Sequence, residues 1–271
     1  MKVRLDNLLV SRNLMVTRSQ AESYIRLGKV SVDGRVVTKP GFFVADDVQI
    51  ELEQDEQFVS RAALKLKSVT EKLQLDFAGK VVLDVGSSTG GFTEFALSRG
   101  AEKVIAVDVG TDQLHPKLRG DSRIELHEKT DIRHVIANGQ DGQLPGEFER
   151  VLAAARPRLP AQIHQAVVLA EIPNIILIDV SFISLREILP YVAQYLAGPK
   201  TQIVAMVKPQ FETGERVKNA GVIKNDTERR RILREFEAWA KKYFLVIAKA
   251  DSEVAGTHGN RERFYQLAKI K

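Results

Sequence analysis

Apolar residues along this chain repeat first with helical and then with strand periodicity, and the changes of period divide it into two parts. Leu5, Leu8 and Leu9 share one helical face, and Ala21, Tyr24 and Ile25 share another. Thr17 and Gln20 have capping-box spacing, in which Thr17 caps the second helix and Gln20 reaches back to the Thr17 N–H. Gly28 suits the left-handed residue that follows such a helix. Residues 30–37 then alternate around Asp33-Gly34, a pair suited to a two-residue hairpin turn. Val48, Ile50 and Leu52 alternate as a closing strand. Together these elements predict a small α+β module over residues 1–53. The polar, acidic stretch 54–58 reads as a linker.

From residue 59 to 271 the pattern is different. Short apolar runs at 80–85, 103–108, 123–127, 174–179, 202–208, 244–248 and 264–268 alternate with amphipathic stretches. Continuous β-branched and leucine runs mark strands buried on both faces, so the expected fold is a doubly wound α/β sheet. A leading helix over 62–73 turns Leu64, Val69 and Leu73 inward, with Lys65 ahead of the first strand. A further helix is expected over 184–196. Another, capped at Asn225, buries Ile232, Leu233, Phe236 and Trp239 and exposes Arg229, Arg230, Arg231 and Arg234. Residues 138–170, rich in turn signals, read as a surface insertion, and 210–224 as a loop at the mouth of the site.

Composition narrows the function classes. No apolar run approaches the roughly 20 residues of a membrane-spanning helix. The start Met-Lys-Val-Arg-Leu-Asp lacks the apolar region of a secretory signal. The absence of cysteine excludes disulfides and thiolate metal sites and fits a cytoplasmic protein, and the histidines are scattered without ligand spacing, so no metal is expected. A net charge of +5 favours a polyanionic partner. In the first fifty residues cations outnumber acids and cluster at helix starts and at the helix–hairpin junction. Charge alone fits either a solvated face or phosphate contacts.

The chemistry is concentrated in residues 80–97. The strand ends Asp84-Val-Gly86, and the turn Ser87-Ser-Thr-Gly90-Gly91 opens onto a helix beginning near Phe92. Glycines there permit a tight turn and close approach of the backbone to a ligand. The dinucleotide fingerprint G-x-G-x-x-G is absent, because no glycine stands two residues after Gly86. An acid followed by glycine at a strand end is instead the arrangement of S-adenosylmethionine sites, where Asp84 can face the methionyl amino group. Asp108 ends the next strand, followed by Val109, where a carboxylate can accept ribose hydroxyls. Asp131 follows the third strand, placed for an adenine amino group. Lys208 ends a buried strand and needs a carboxylate nearby, for which Asp179 at the end of the adjacent run is the candidate.

Two resemblances sharpen this reading. Arg4-Leu-Asp, Thr17-Arg-Ser-Gln-Ala, Ile25-Arg-Leu-Gly-Lys-Val, Val32-Asp-Gly-Arg-Val and Lys39-Pro follow the pattern of the alpha-L (S4-type) RNA-binding domain. That resemblance implies RNA contacts through Arg4, Arg12, Arg18, Ser19, Gln20, Arg26 and Lys29. The glycine turn, with Lys65, Asp179, Lys208-Pro and Glu262 in order, resembles the FtsJ-like ribose 2′-O-methyltransferases. Their fold, a Rossmann-like seven-stranded sheet, and their Lys–Asp–Lys–Glu tetrad are thereby implied. So is S-adenosyl-L-methionine, held by Asp84, Gly86, Ser87, Gly90, Gly91, Phe92, Asp108, Val109 and Asp131. Over nearly its whole length the chain resembles the TlyA family of ribosomal RNA cytidine 2′-O-methyltransferases, also called haemolysin A. The resemblance implies ribosomal RNA or ribosomal subunits as partner. Two other readings stand beside it: a membrane-active haemolysin, and an RNA-binding ribosome assembly factor with little catalysis.

Overall fold

The computed structural model describes residues 2–52, 58–137, 167–213, 222–223, 225–256 and 259–270. The chain divides into two compact units, Met1–Arg61 and Ala62–Lys271. The division falls later than the expected linker. Phe58, read as its last residue, is buried, and its carbonyl accepts from Gln20 Nε2 at 3.3 Å, which ties it to the first unit. Residues 54–57 lie outside the described residues.

In the N-terminal unit, helices α1 (Leu5–Ser11) and α2 (Arg18–Arg26) pack on each other. Strand β2 (Val30–Val32) lies between β3 (Arg35–Val36) and β5 (Ile50–Leu52), antiparallel to both. Positive φ at Asp33 (48°) and Gly34 (74°) gives the expected hairpin turn. Thr17 caps α2 through the Gln20 N–H, but Gln20 Oε1 accepts from Val16, one residue short of the capping-box partner. A second antiparallel pair, β1 (Lys2–Arg4) with β4 (Phe43–Ala45), is too short for periodicity to reveal. The unit's core is built on Leu5, Leu9, Tyr24, Ile25 and Val30.

The second unit carries a seven-stranded sheet in the order β13-β14-β12-β11-β6-β7-β8. Its members are β6 (Val81–Val85), β7 (Lys103–Val107), β8 (Ile124–His127), β11 (Ile175–Ile178), β12 (Gln202–Val207), β13 (Phe244–Asp251) and β14 (Arg263–Lys269). The five from β12 to β8 are parallel, and β14 runs antiparallel to β12 and β13. The chain builds outward from β6 through β7 to β8, then crosses to β11 and builds the other way. This reversal opens a crevice beyond the carboxyl ends of β6 and β11. A small parallel pair, β9 (Val135–Ala137) with β10 (Val167–Leu169), lies outside the main sheet. The insertion expected at 138–170 falls mostly outside the described residues.

Helix α3 (Arg61–Thr70) leads into the sheet and α4 (Gly91–Ser98) follows the glycine turn. The helix expected over 184–196 breaks in two, a 3-10 turn Leu185–Glu187 and then α6 (Leu189–Tyr195), after the four-residue α5 (Pro116–Arg119). Pro190, which lacks an N–H, is accommodated only in the first turn of the new helix. In α7 (Asp226–Ala240) the arginine face departs from the expected solvated pattern at one position. Arg229 is buried, donating to Asp251 Oδ1 at 2.8 Å and to the Arg261 carbonyl at 2.9 Å. Burial pushes the Asp251 carboxyl up, but Arg263 and Arg229 outweigh it and hold it at about 2. Among the described residues no helix is long and apolar enough to cross a membrane.

Candidate active site

The crevice at the strand reversal is a cleft of about 380 Å³. That is within the range of sites that hold small molecules. Its walls include Gly86, Ser88, Asp108, Val109, Asp131 and Asp179. Gly86 adopts φ +81°, and a Cβ there would stand 2.7 Å from the Asp179 carbonyl oxygen, so glycine is required for both conformation and space. Gly90 is also left-handed and caps α4, whose first residue is Gly91. Asp108 accepts the Ser88 N–H at 2.8 Å and the Gly110 N–H at 2.7 Å, one on each oxygen. These bonds fix the carboxylate in the cleft wall while leaving lone pairs on both oxygens.

The remaining cofactor candidates are arranged less uniformly. Asp131 lies in the wall, but both its oxygens are engaged by Arg133. Burial raises its pKa, and the Arg133 hydrogen bonds outweigh that and hold it low. Phe92 is not part of the wall; its ring is buried in the core, 6.0 Å from that of Phe264. Ser87 is buried with its hydroxyl unpartnered among the described residues. Asp84 is only 1% exposed and, like Ser87, Gly90 and Gly91, stands behind the wall rather than in it. One of its oxygens accepts from Thr93 Oγ1 at 2.7 Å, and the other has no partner among the described residues. Burial, reinforced by the negative charges of Asp179 and Asp108, pushes this carboxyl up to about 7 despite the Thr93 hydrogen bond.

The tetrad is assembled by sheet register. Ile178 pairs with both Val85 and Ala205, and Val207 pairs with Arg263. One residue past these pairs stand Asp179 and Lys208, while Glu262 precedes Arg263 on the antiparallel strand and so lies across from Lys208. Lys208 Nζ is 2.6 Å from Asp179 Oδ1 and donates to Ser181 Oγ at 2.7 Å. Lys65, from α3, donates to Glu262 Oε1 at 3.0 Å. The second Glu262 oxygen is buried and unpartnered among the described residues. The result is two lysine–carboxylate pairs at the carboxyl end of the sheet.

Two residues that periodicity missed complete the site. Phe182 is 90% exposed in a left-handed conformation (φ 66°), and its ring lies 5.3 Å from that of Phe211. A bulky residue held at positive φ is a strained backbone position of the kind found at functional sites. Glu212 is buried and accepts from Ser184 Oγ at 2.7 Å and from the Leu185 N–H at 2.8 Å. It thereby clamps the turn after Lys208 to the loop after Asp179. An aromatic within Ser181-Phe-Ile, between a strand-end acid and a helix, was the available signal for Phe182.

The proposed RNA-contacting residues of the N-terminal unit are partly committed elsewhere. Arg4 and Arg18 converge on Asp6, at 2.6 and 3.1 Å, and Asp6 is fully buried. The Arg4 hydrogen bonds hold the Asp6 carboxyl low, burial opposes them, and Arg18 adds to them. Arg12 donates to the Val48 carbonyl at 2.7 Å and to that of Asp46. Ser19 and Arg26 are exposed on α2, Gln20 is engaged as described above, and Lys29 is half-buried.

Comparison with known proteins gives the same two parts. The FtsJ-like methyltransferase model matches residues 58–269 and the S4 domain model residues 3–50. The 16S/23S rRNA (cytidine-2'-O)-methyltransferase TlyA of Mycobacterium tuberculosis (strain ATCC 25618 / H37Rv) is 34% identical over 271 residues, covering 98% of this chain and 90% of that protein. Hemolysin A of Brachyspira hyodysenteriae is 34% identical over 268 residues, covering 96% of this chain and 97% of its own. A solved structure from Streptococcus thermophilus, whose name calls it a hemolysin, superimposes with a TM-score of 0.63 at 33% identity. That match covers 100% of this chain and 89% of the other. The chain therefore belongs to the FtsJ-like methyltransferase family, its catalytic fold joined to an N-terminal S4 domain.

Proposed function

We propose that the chain transfers a methyl group from S-adenosyl-L-methionine to the ribose 2′-hydroxyl of a cytidine in ribosomal RNA, with the N-terminal unit holding part of the RNA. The observation that carries this reading is Lys208, held against Asp179 and Ser181 beside the glycine-turn cleft. Relatives named as rRNA (cytidine-2'-O)-methyltransferases support the nucleoside and the RNA class. A ribosomal substrate supports a cytoplasmic location for the reaction. Mapping blocked 2′-hydroxyls in ribosomal RNA incubated with enzyme and cofactor tests the proposal directly; unmodified riboses would remove it.

The residues present fit the cofactor. Gly86 keeps the turn open, Asp108 offers lone pairs to ribose hydroxyls, and the Asp84 oxygen that has no partner among the described residues suits an ammonium. Bound there, S-adenosylmethionine supplies an electrophilic sulfonium methyl. A ribose hydroxyl is a weak nucleophile, so the protein's task is chiefly orientation. Lys208 donates to the 2′-oxygen and stabilises the negative charge that develops there as the hydroxyl proton passes to solvent water and the O–methyl bond forms. Asp179 fixes the Lys208 ammonium, while the Lys65–Glu262 pair balances charge at the neighbouring strand end. Phe182, projecting from the same loop as Asp179, offers a face on which the target base can stack.

Two measurements probe this assignment. Asp84 holds a proton up to about pH 7 in the free protein, and the ligand's ammonium favours the ionised carboxylate. Cofactor affinity measured by calorimetry therefore rises as pH increases through about 7, with proton release on binding. In Asp84→Asn the affinity is lower and the rise is absent. Because the folded state binds this proton more tightly than the unfolded chain, Asp84's contribution to stability declines as pH rises from about 4 to about 7. For the RNA face, the combined substitutions Arg18→Ala and Arg26→Ala weaken binding of ribosomal RNA. They also flatten the plot of log affinity against log salt by about one unit per lost phosphate contact. An unchanged slope removes both arginines from the interface.

A further inference from the structure

The face of the N-terminal unit formed by the hairpin and the loop leading into β4 carries exposed apolar side chains. Val36 is 61% exposed, Phe42 47% and Phe43 59%. All three line one cleft of about 800 Å³, together with Arg35 and Lys39. The alternation of β4 directs Phe43 outward while Val44 is buried. Neither phenylalanine was a candidate in the sequence.

The backbone that presents the rings is held firmly. The Phe42 N–H closes a turn on the Lys39 carbonyl at 3.0 Å, and the Leu5 N–H donates to the Phe42 carbonyl at 2.9 Å. Arg4 pairs with Phe43 in the β1–β4 ladder. The Arg4 guanidinium lies 3.5 Å from where a Gly41 Cβ would stand, so the loop packs directly over it. Aromatic rings on a fixed backbone give up little conformational entropy when a flat ligand covers them.

Charge selects among ligands. Arg35 and Lys39 flank the rings, and the one acid in the lining, Asp33, has its carboxylate engaged by the Gln49 N–H at 3.0 Å. Exposed aromatic faces bordered by cations complement a base and its adjoining phosphates. A duplex hides its base faces, so the matching RNA is unpaired. We propose that Phe42 and Phe43 form a stacking platform for an unpaired nucleobase of the RNA substrate, with Arg35 and Lys39 on the flanking phosphates. This rests on the RNA-substrate reading above and adds to it a second face of the S4 unit, separate from Arg18 and Arg26 on α2.

The test uses the full chain and two probes, a short oligocytidylate and an RNA duplex of equal length. The pair Phe42→Ala/Phe43→Ala loses about tenfold in affinity for the single strand, the loss expected of a removed stack. Its salt slope and its duplex affinity stay at wild-type values, and its affinity for S-adenosylmethionine reports that the catalytic unit is folded. Leucines at both positions keep apolar area without a π-face and do not restore binding. Equal losses on both probes, full rescue by leucine, or a wild-type dimer that the alanines dissociate overturns the platform. Wild-type protein that binds neither probe removes the RNA reading itself, whereas unaltered binding by the alanine pair removes the platform alone.

Discussion

Lys208→Ala abolishes methyl transfer to ribosomal RNA, lowering kcat by about a thousandfold or more, while S-adenosylmethionine affinity stays near wild type. The magnitude follows from removing a positioned charge from the reacting oxygen, an effect of about 10² to 10⁴ in rate. The cofactor half of the prediction follows from position. Lys208 is not itself in the cleft wall and reaches it only through Asp179 and Ser181, which line it. Lys208→Arg does not rescue, because a planar guanidinium cannot take up the compact geometry of an ammonium 2.6 Å from Asp179. Single-turnover transfer of labelled methyl, run beside equilibrium binding of the cofactor, separates the two terms. A Lys208→Ala enzyme with wild-type kcat would remove Lys208 from the mechanism.

Gly86→Ala produces the second large effect, and through the backbone rather than a charge. An alanine forced into the left-handed region costs about 1–2 kcal/mol. Here the new methyl also meets the Asp179 carbonyl oxygen at 2.7 Å. A main-chain atom cannot rotate aside as a side chain can, so the end of β11 moves and carries Asp179 with it. Stability falls by about 2 kcal/mol or more in denaturant titrations, since strain and collision add. Cofactor affinity drops by at least about tenfold, the equivalent of 1.4 kcal/mol. Gly34→Ala is the matched control: it is also left-handed, at φ +74°, but has nothing within 4 Å of its would-be Cβ. It pays the conformational cost alone and leaves cofactor binding unchanged. Similar cofactor affinities in the two variants would show that the contact with Asp179 does not shape the cleft.

These two residues differ in how far the sequence revealed them. The Gly86 turn was legible because its determinants are local: a buried apolar strand, an acid at its end, then glycines where a side chain would collide. Asp108 and the pairing of Asp179 with Lys208 were legible for a related reason, since strand-end residues of neighbouring parallel strands meet wherever the sheet places those strands side by side. Local pattern also located most of the elements of both units. It failed where a residue's fate depends on distant partners. Arg229 reads as one more solvated arginine until Asp251 and the Arg261 carbonyl draw it inward. Arg4 and Arg18 read as free cations until α1 buries Asp6 between them.

Periodicity, turn chemistry and strand-end acids by themselves determined a two-part chain, an α/β sheet with a cofactor-type glycine turn, and a basic N-terminal module, because each depends on neighbours within a few residues. Resemblance added the tetrad and the RNA partner. Only the tertiary structure decided that Glu262 stands across from Lys208, because that depends on the register of an antiparallel strand whose pairing partner lies more than fifty residues earlier. It alone decided that Asp84 is buried deeply enough to hold its proton to about pH 7, because desolvation is set by everything packed around a carboxyl. The exposure of Phe182 and of the Phe42–Phe43 pair was decided in the same way, since an apolar residue reads as core until the fold leaves its side chain at the surface.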